Sequence, residues 1–187
     1  MTTFDVTVGL VWAAAGGTLV LCNSYEEIRD LSPRLASLRG RRLIDQEPNE
    51  SIARIKNTFV EMARKGIRPI WLATGGAWTG LDLTDEGVTE PTEDNLLTDL
   101  VIVRIPLGRS RSVAHQIRVE KLGLEEEFFA AAFLLRQGIG RLIRREGVEN
   151  RKLWFLDGRI LLKGARGATY GNMAAILQLY PKKSVIS

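Results

Sequence analysis

The residues best suited to chemistry are Gln137-Gly138-Ile139-Gly140-Arg141-Leu142-Ile143-Arg144. Arg141 and Arg144 have the i, i+3 spacing that puts two side chains on one face of a helical turn. A guanidinium is a planar fork of donors, charged at any useful pH and matched to phosphoryl oxygens. Gly138 and Gly140 let the backbone approach a neighbouring surface closely, and Gln137 adds an amide. The octet therefore reads as a phosphate clamp. The bland alternative is a pair of solvated arginines on an exposed helix. Gly138-Ile139-Gly140 is not a dinucleotide fingerprint, because it follows a helical run and lacks the spaced third glycine.

The clamp needs a scaffold. Thr18 to Cys22 is a β-type run after Gly16-Gly17, and Ser24 with Glu27 fits a capping box, so a helix should start at Tyr25 and run toward Leu38. Arg41 to Asp45 reads as a second strand. Asn49 can cap a helix over Glu50 to Lys65, where Ile52, Ile55, Phe59 and Met62 recur at helical spacing and Gly66 ends it. Arg68 to Ala73 is the next strand, followed by the turn Thr74-Gly75-Gly76. Leu83 to Asn95 is acidic and polar, hence loop. Leu100 to Ile105 is an apolar strand stopped by Pro106. His115 to Leu122 and Glu126 to Arg136 read as helices separated by Gly123. Leu153 to Leu156 is a strand ending at Asp157, and Tyr170 to Leu179 is a last helix.

Strands alternate with helices, and several strands are continuous apolar runs. That predicts an α/β fold: a mostly parallel sheet with helices on both faces. Ligands of such sheets sit beyond the carboxyl ends of the strands. The loops at Asn23-Ser24, Thr74 to Asp82 and Asp157 to Arg159 all fall there.

In that frame the motifs can be compared as an ordered set. The Gln-x-x-Gly-Arg-x-x-Arg pattern at 137–144 resembles the sixth motif of superfamily-two helicases. Gly17 to Tyr25 resembles the fourth motif of the DinG/XPD family of those helicases, with Asn23 where Thr or Ser is more usual. Ala73-Thr74-Gly75-Gly76-Ala77-Trp78-Thr79-Gly80-Leu81-Asp82 resembles the fifth, with Thr79 in a place that is often acidic. Leu153 to Arg159 resembles a Leu-Asp-x-Arg segment whose Asp157 and Arg159 would brace the sixth-motif helix.

The resemblance covers nearly the whole chain and implies a RecA-like second motor domain. It implies a 5′ to 3′ single-stranded-DNA translocase in which Arg141 and Arg144 are arginine fingers, Gln137, Gly138, Gly140 and Gly80 face the nucleotide, and Asp82 faces the ATP sugar or couples the two sites. Ser24, Tyr25, Thr74 and Gly75 would hold the strand, since a helix N-terminus favours anions. Ser24 can equally be a plain N-cap. Trp78 is either a stacking platform for a base or a core residue. Repair-type and CRISPR-associated DinG-like members both stay open, so a CRISPR ribonucleoprotein is among the candidate partners.

The chain contains no Gly-x-x-x-x-Gly-Lys-Ser/Thr loop and no Asp-Glu-x-His motif. ATP and Mg²⁺ would then be held mainly by a P-loop-bearing first motor domain of the same protein. Residues 1–187 are expected to be one C-terminal RecA-like domain of a longer helicase, inactive alone. Cys22 is the only cysteine, so any iron–sulfur cluster belongs to the other part, and no metal site is expected here.

Composition permits this reading without requiring it. Hydrophobic residues make up 45% and charged residues 26%, and the net charge is +4. That balance fits a globular domain with a polyanionic partner. Arg109 and Arg111, beyond a strand's end, are either groove-lining contacts or solvated charges. His115 has no evident partner. There is no basic leader with an apolar core and no apolar run of the roughly 20 residues that span a bilayer. No membrane partner is expected, and a cytoplasmic location is the default. The rival reading is a RecA-like module that binds nucleic acid or protein without turnover. A small-molecule enzyme lacks a nucleophile–base or metal-ligand set.

Overall fold

Apolar residues on both faces of a strand can be buried only if both faces of the sheet are covered. The computed structural model, which describes residues 2–85, 87–90, 94, 96–107, 113–140, 142, 151–161 and 170–178, meets that demand. Strands β1 (Thr18–Leu21), β2 (Arg41–Asp45), β3 (Arg68–Ala73), β4 (Asp99–Ile102) and β5 (Lys152–Phe155) form one sheet in the order β2-β3-β1-β4-β5. Every pairing is parallel, with Leu19 beside Trp71 and Leu100. The central strands β1 and β4 are buried throughout.

The helices are α1 (Thr3–Ala13), α2 (Tyr25–Ala36), α3 (Ile52–Arg64), the short α4 (Ala77–Gly80), α5 (Val113–Leu122), α6 (Leu124–Ile139) and α7 (Gly171–Gln178). Alternation along the strands assigns the faces. Val20, Ile70, Leu72 and Val101 pack with Val11 of α1 and Ile28, Leu31 and Leu35 of α2. On the opposite face, Trp71 meets Phe59 of α3, with ring centroids 6.1 Å apart.

The chain groups into two compact units. One comprises Met1–Arg104 and Gln137–Leu156, and so holds the whole sheet. The other comprises Ile105–Arg136 and Asp157–Ser187.

Several elements depart from expectation. Helix α1 was not foreseen, because its apolar residues do not gather on one stripe. Its signal was local: Asp5 donates its N–H to the Thr2 hydroxyl at 3.2 Å and accepts the Thr2 N–H at 2.8 Å, a full capping box. Helix α3 starts at Ile52, capped by Ser51 and not by Asn49. Asn49 has φ +67, whereas an N-cap needs extended backbone. Strand β4 ends at Ile102, short of Ile105, and α6 continues past Arg136 to Ile139.

Edge strand β2 carries an inward charge. Arg41 donates to the carbonyls of Ala14 and Gly16 at 2.9 Å each and to the Thr18 hydroxyl at 2.7 Å. Burial, then the nearby Arg68 cation, pushes its guanidinium down to about 10 against the pull of Asp99. It remains a cation at neutral pH.

In the second unit, the buried Asp157 carboxylate accepts the Ile105 N–H at 2.9 Å and the Arg159 guanidinium at 2.5 Å. Arg159 covers the Tyr170 ring, 5.7 Å from its centroid, and Tyr170 meets Phe128 of α6 edge-on at 5.4 Å. The Asp–Arg pair thus reaches α6 through Tyr170. Burial alone would raise the Asp157 pKa, but the hydrogen bonds from Arg159 and Ile105 override it and lower it below 3.8. A depressed carboxylate contributes stability above its unfolded pKa and loses it as pH falls through the folded value. Asp157→Asn is therefore expected to lower the denaturation midpoint at neutral pH. The gap to wild type should close as pH falls through the lowered folded value, and a gap constant with pH would rule this account out. Among the described residues, no helix is long and apolar enough to cross a membrane.

Candidate functional site

Parallel order brings the carboxyl ends of β3, β1 and β4 side by side. Beyond β1, Ser24 caps α2 by accepting the Glu27 N–H at 3.2 Å. The Glu27 carboxylate accepts the Asn23 N–H at 2.7 Å, one residue before the usual reciprocal partner, and its other oxygen pairs with Arg104 at 3.1 Å. Ser24 is exposed and Tyr25 half-buried.

Beyond β3, the chain turns at Thr74 to Gly76 into α4. Gly75, with φ +60, and Gly76 are exposed, while Thr74 is buried. Two contacts tie this turn to its neighbours. The Cys22 N–H donates to the Ala73 carbonyl at 2.8 Å. The Trp78 indole N–H donates to the Cys22 carbonyl at 3.1 Å.

Trp78 is fully buried, so its ring cannot stack on a base. The core reading of Trp78 replaces the nucleic-acid one, because the indole fills the space beneath the turn and spends its only donor on the β1 end.

Gln46, just beyond β2, was not singled out in the sequence. Its side-chain oxygen accepts the buried Thr74 N–H at 2.8 Å, and its amide nitrogen lies 3.4 Å from the Tyr25 hydroxyl. One buried amide thus sets both Thr74 and Tyr25. Polar side chains at strand ends are the only sequence signal for it, and they are common. Gln46→Leu removes the acceptor for a buried N–H and is expected to cost about 1–3 kcal/mol, read as a lower urea midpoint. An unchanged midpoint would mean that Gln46 does not set the turn.

The segment leading to the arginine pair packs onto the same region. A Cβ built on Gly138 would lie 2.9 Å from Trp78 Cε3 and 3.1 Å from Leu21 Cδ1. The glycine is there because Trp78 and Leu21 leave no room for a side chain. The side-chain oxygen of Gln137 is buried with no hydrogen-bond partner. After Ile139, the Leu142 N–H returns to the Ile139 carbonyl at 2.9 Å. Asp82, half-buried, accepts the Thr84 N–H at 3.1 Å. Gly80 closes α4.

The structure therefore gathers the strand end at Ser24, the turn at Thr74 to Trp78, and the approach to the arginines at Gln137 to Gly140. Arg109, Arg111, Arg141 and Arg144 lie outside the described residues.

An all-parallel α/β sheet with these loops at its strand ends has the architecture of a RecA-like motor domain. The chain belongs to the helicase C-terminal domain family, whose model matches residues 7–173. Among solved structures, it is similar to an XPD helicase chain at 19% identity and TM-score 0.60. It is also similar to an apo XPD chain at 19% identity and TM-score 0.58, and to S. tokodaii Xpd4 at 16% and 0.58. These alignments cover 93%, 92% and 92% of this chain but only 30%, 33% and 31% of those chains. The chain thus spans about a third of the length of the solved helicases it resembles. No curated protein sequence matches it.

Proposed function

We propose that this chain is the second motor domain of an ATP-dependent DNA translocase moving 5′ to 3′ on single strands. It works with a P-loop-bearing first domain of the same protein. The observation that carries this reading is the packing of Trp78 against Gly138. It joins the exposed strand-end surface at Ser24 and Gly75 to the segment that runs into Arg141. Such a joint is what a motor needs if grip on a strand is to follow the state of a nucleotide.

The described residues offer one feature that fits the nucleotide. Among the described residues, no group of three or more His, Cys, Asp or Glu is placed to hold a metal ion. Mg²⁺ is assigned to the first domain because the P-loop and Asp-Glu-x-His motifs that would hold it are missing from this sequence. For ATP, the partnerless Gln137 oxygen is the fitting feature, together with the arginine pair of the sequence.

ATP bound between the domains supplies the free energy of the cycle. Arg141 and Arg144 place fixed positive charge beside the transferring phosphoryl oxygens. Gly80 and Asp82 face the nucleotide from the α4 end. Ser24, Gly75 and the backbone donors near them hold the strand's phosphates, with Tyr25 beside them and Arg109 and Arg111 lining the groove. Thr74, covered in this conformation, sets Gly75 in place.

Contacts of this kind carry little sequence preference. The test is binding of a labelled thymidine oligonucleotide by this chain joined to its first domain, across a salt series. Affinity should fall with salt at a slope of about −0.7 per phosphate contact, and Ser24→Asp should weaken it. Salt-independent binding, or none, sinks the proposal. Binding without strand-stimulated hydrolysis points to the non-catalytic module.

A further inference from the structure

Between Asp82 and β4, the chain passes through Asp94, whose side chain has no exposure. Arg151, at the foot of β5, is almost as deeply buried, with 5% of its side chain exposed, and pairs with Asp94 at 2.7 Å. The second arm of the Arg151 fork donates to the Leu142 carbonyl at 2.6 Å. Leu142 is itself buried, follows Arg141 directly and stands two residues before Arg144. Asp94 is anchored in turn, accepting the Asp85 N–H at 3.2 Å and the Leu96 N–H at 3.3 Å.

A buried ion pair is a poor way to gain stability, because desolvation of both charges offsets their attraction. Apolar side chains of the same volume would serve a core at least as well. What a guanidinium adds is direction, since its donors lie in one rigid plane. Here one arm is fixed on a carboxylate and another on a single backbone oxygen beside the arginine pair. A carbonyl held this way cannot shift without breaking a buried, charge-assisted contact.

We propose that Asp94 and Arg151 are positioning residues for the arginine-bearing segment, acting through the Leu142 carbonyl. They touch neither nucleotide nor strand. They set where the backbone carrying Arg141 and Arg144 stands and tie it to the segment that follows Asp82. The inference rests on the arginine-finger reading of Proposed function.

The experiment uses the motor assembled from this chain and its first domain. Asp94→Asn/Arg151→Met removes both charges, which spares the fold the uncompensated charge a single replacement leaves. Arg151→Lys keeps the charge and loses the fork, and serves if the double variant does not fold. Strand-stimulated kcat should fall about 10²-fold in either, the cost of a catalytic group misplaced by about an ångström, with KM for ATP little changed.

Amide exchange in a peptide covering residues 137–144 should speed up at least about tenfold, with the sheet peptides unaltered. Added to Arg141→Ala, the double variant should cost little further, since groups acting as one unit are not additive. Wild-type kcat together with unchanged exchange overturns the proposal. So does a lower melting temperature with kcat intact, because that is a purely structural pair. If Arg141→Ala leaves kcat unchanged, the finger reading falls and exchange decides alone. Faster exchange then still supports the grip on Leu142, and unchanged exchange overturns it.

Discussion

Alanine at Arg141 or Arg144 is expected to lower strand-stimulated ATP hydrolysis by the assembled motor by roughly 10³- to 10⁵-fold, the range for arginine fingers in other phosphoryl-transfer enzymes. The charge that develops on the transferring group is spread over its equatorial oxygens. A guanidinium can meet two of them at once, and a preorganised cation stabilises that charge without reorganising water. Lysine at either position keeps the charge but loses the fork, so it should restore only part of the rate. The loss should fall mainly on kcat, because an interaction made chiefly in the transition state lowers kcat and kcat/KM together. Oligonucleotide affinity should stay near wild type. Steady-state hydrolysis with and without the strand decides the matter. A variant retaining most of its stimulated rate would remove these arginines from the chemistry.

Gly17→Ala should have the largest effect on folding. A Cβ there would sit 1.9 Å from the Leu96 carbonyl oxygen and 2.7 Å from Phe59 Cζ. The ring could give way, but the carbonyl is backbone. Moving it would also disturb the Gly17 carbonyl, which accepts the Thr98 N–H at 2.9 Å as β4 begins. The cost is expected at or above the upper end of overpacking, about 3 kcal/mol.

Gly138→Ala is a useful contrast, because its tightest contact is a ring edge at 2.9 Å. A helical Gly→Ala change also gains about 1 kcal/mol of propensity, offsetting part of an overpacking cost of about 1–3 kcal/mol. Urea denaturation of the two variants should rank Gly17→Ala well below Gly138→Ala. The reverse order would mean that the β1 entry has more room than the backbone suggests.

The frame was legible because its signals are local. The run at Arg68 to Ala73 announces a buried strand by itself, and the observed β3 has those bounds. Ser24 and Glu27 mark the start of α2 in four residues. What could not be read are choices between equivalent local signals and partnerships across long separations. Asn49 and Ser51 are both good caps by type, and only the left-handed backbone at Asn49 decides for Ser51. Trp78 sits in a loop rich in glycine, where an exposed ring and a buried one look alike in sequence. Gln46 meets Thr74 across 28 positions and Asp94 meets Arg151 across 57. Nothing near any of these four residues names the other.

A sheet that does not close has two open rims, and each invites a strand from another molecule. Among the described strands the rims are β2 and β5. At β2, the Arg41 cation is folded inward onto the Ala14 and Gly16 carbonyls, while Arg42 faces solvent. At β5, Lys152 is exposed. A strand docking on either rim would have to strip water from an exposed cation, Arg42 or Lys152. The exposed Arg42 and Lys152 thus help keep a hydrophobic sheet from polymerising edge to edge.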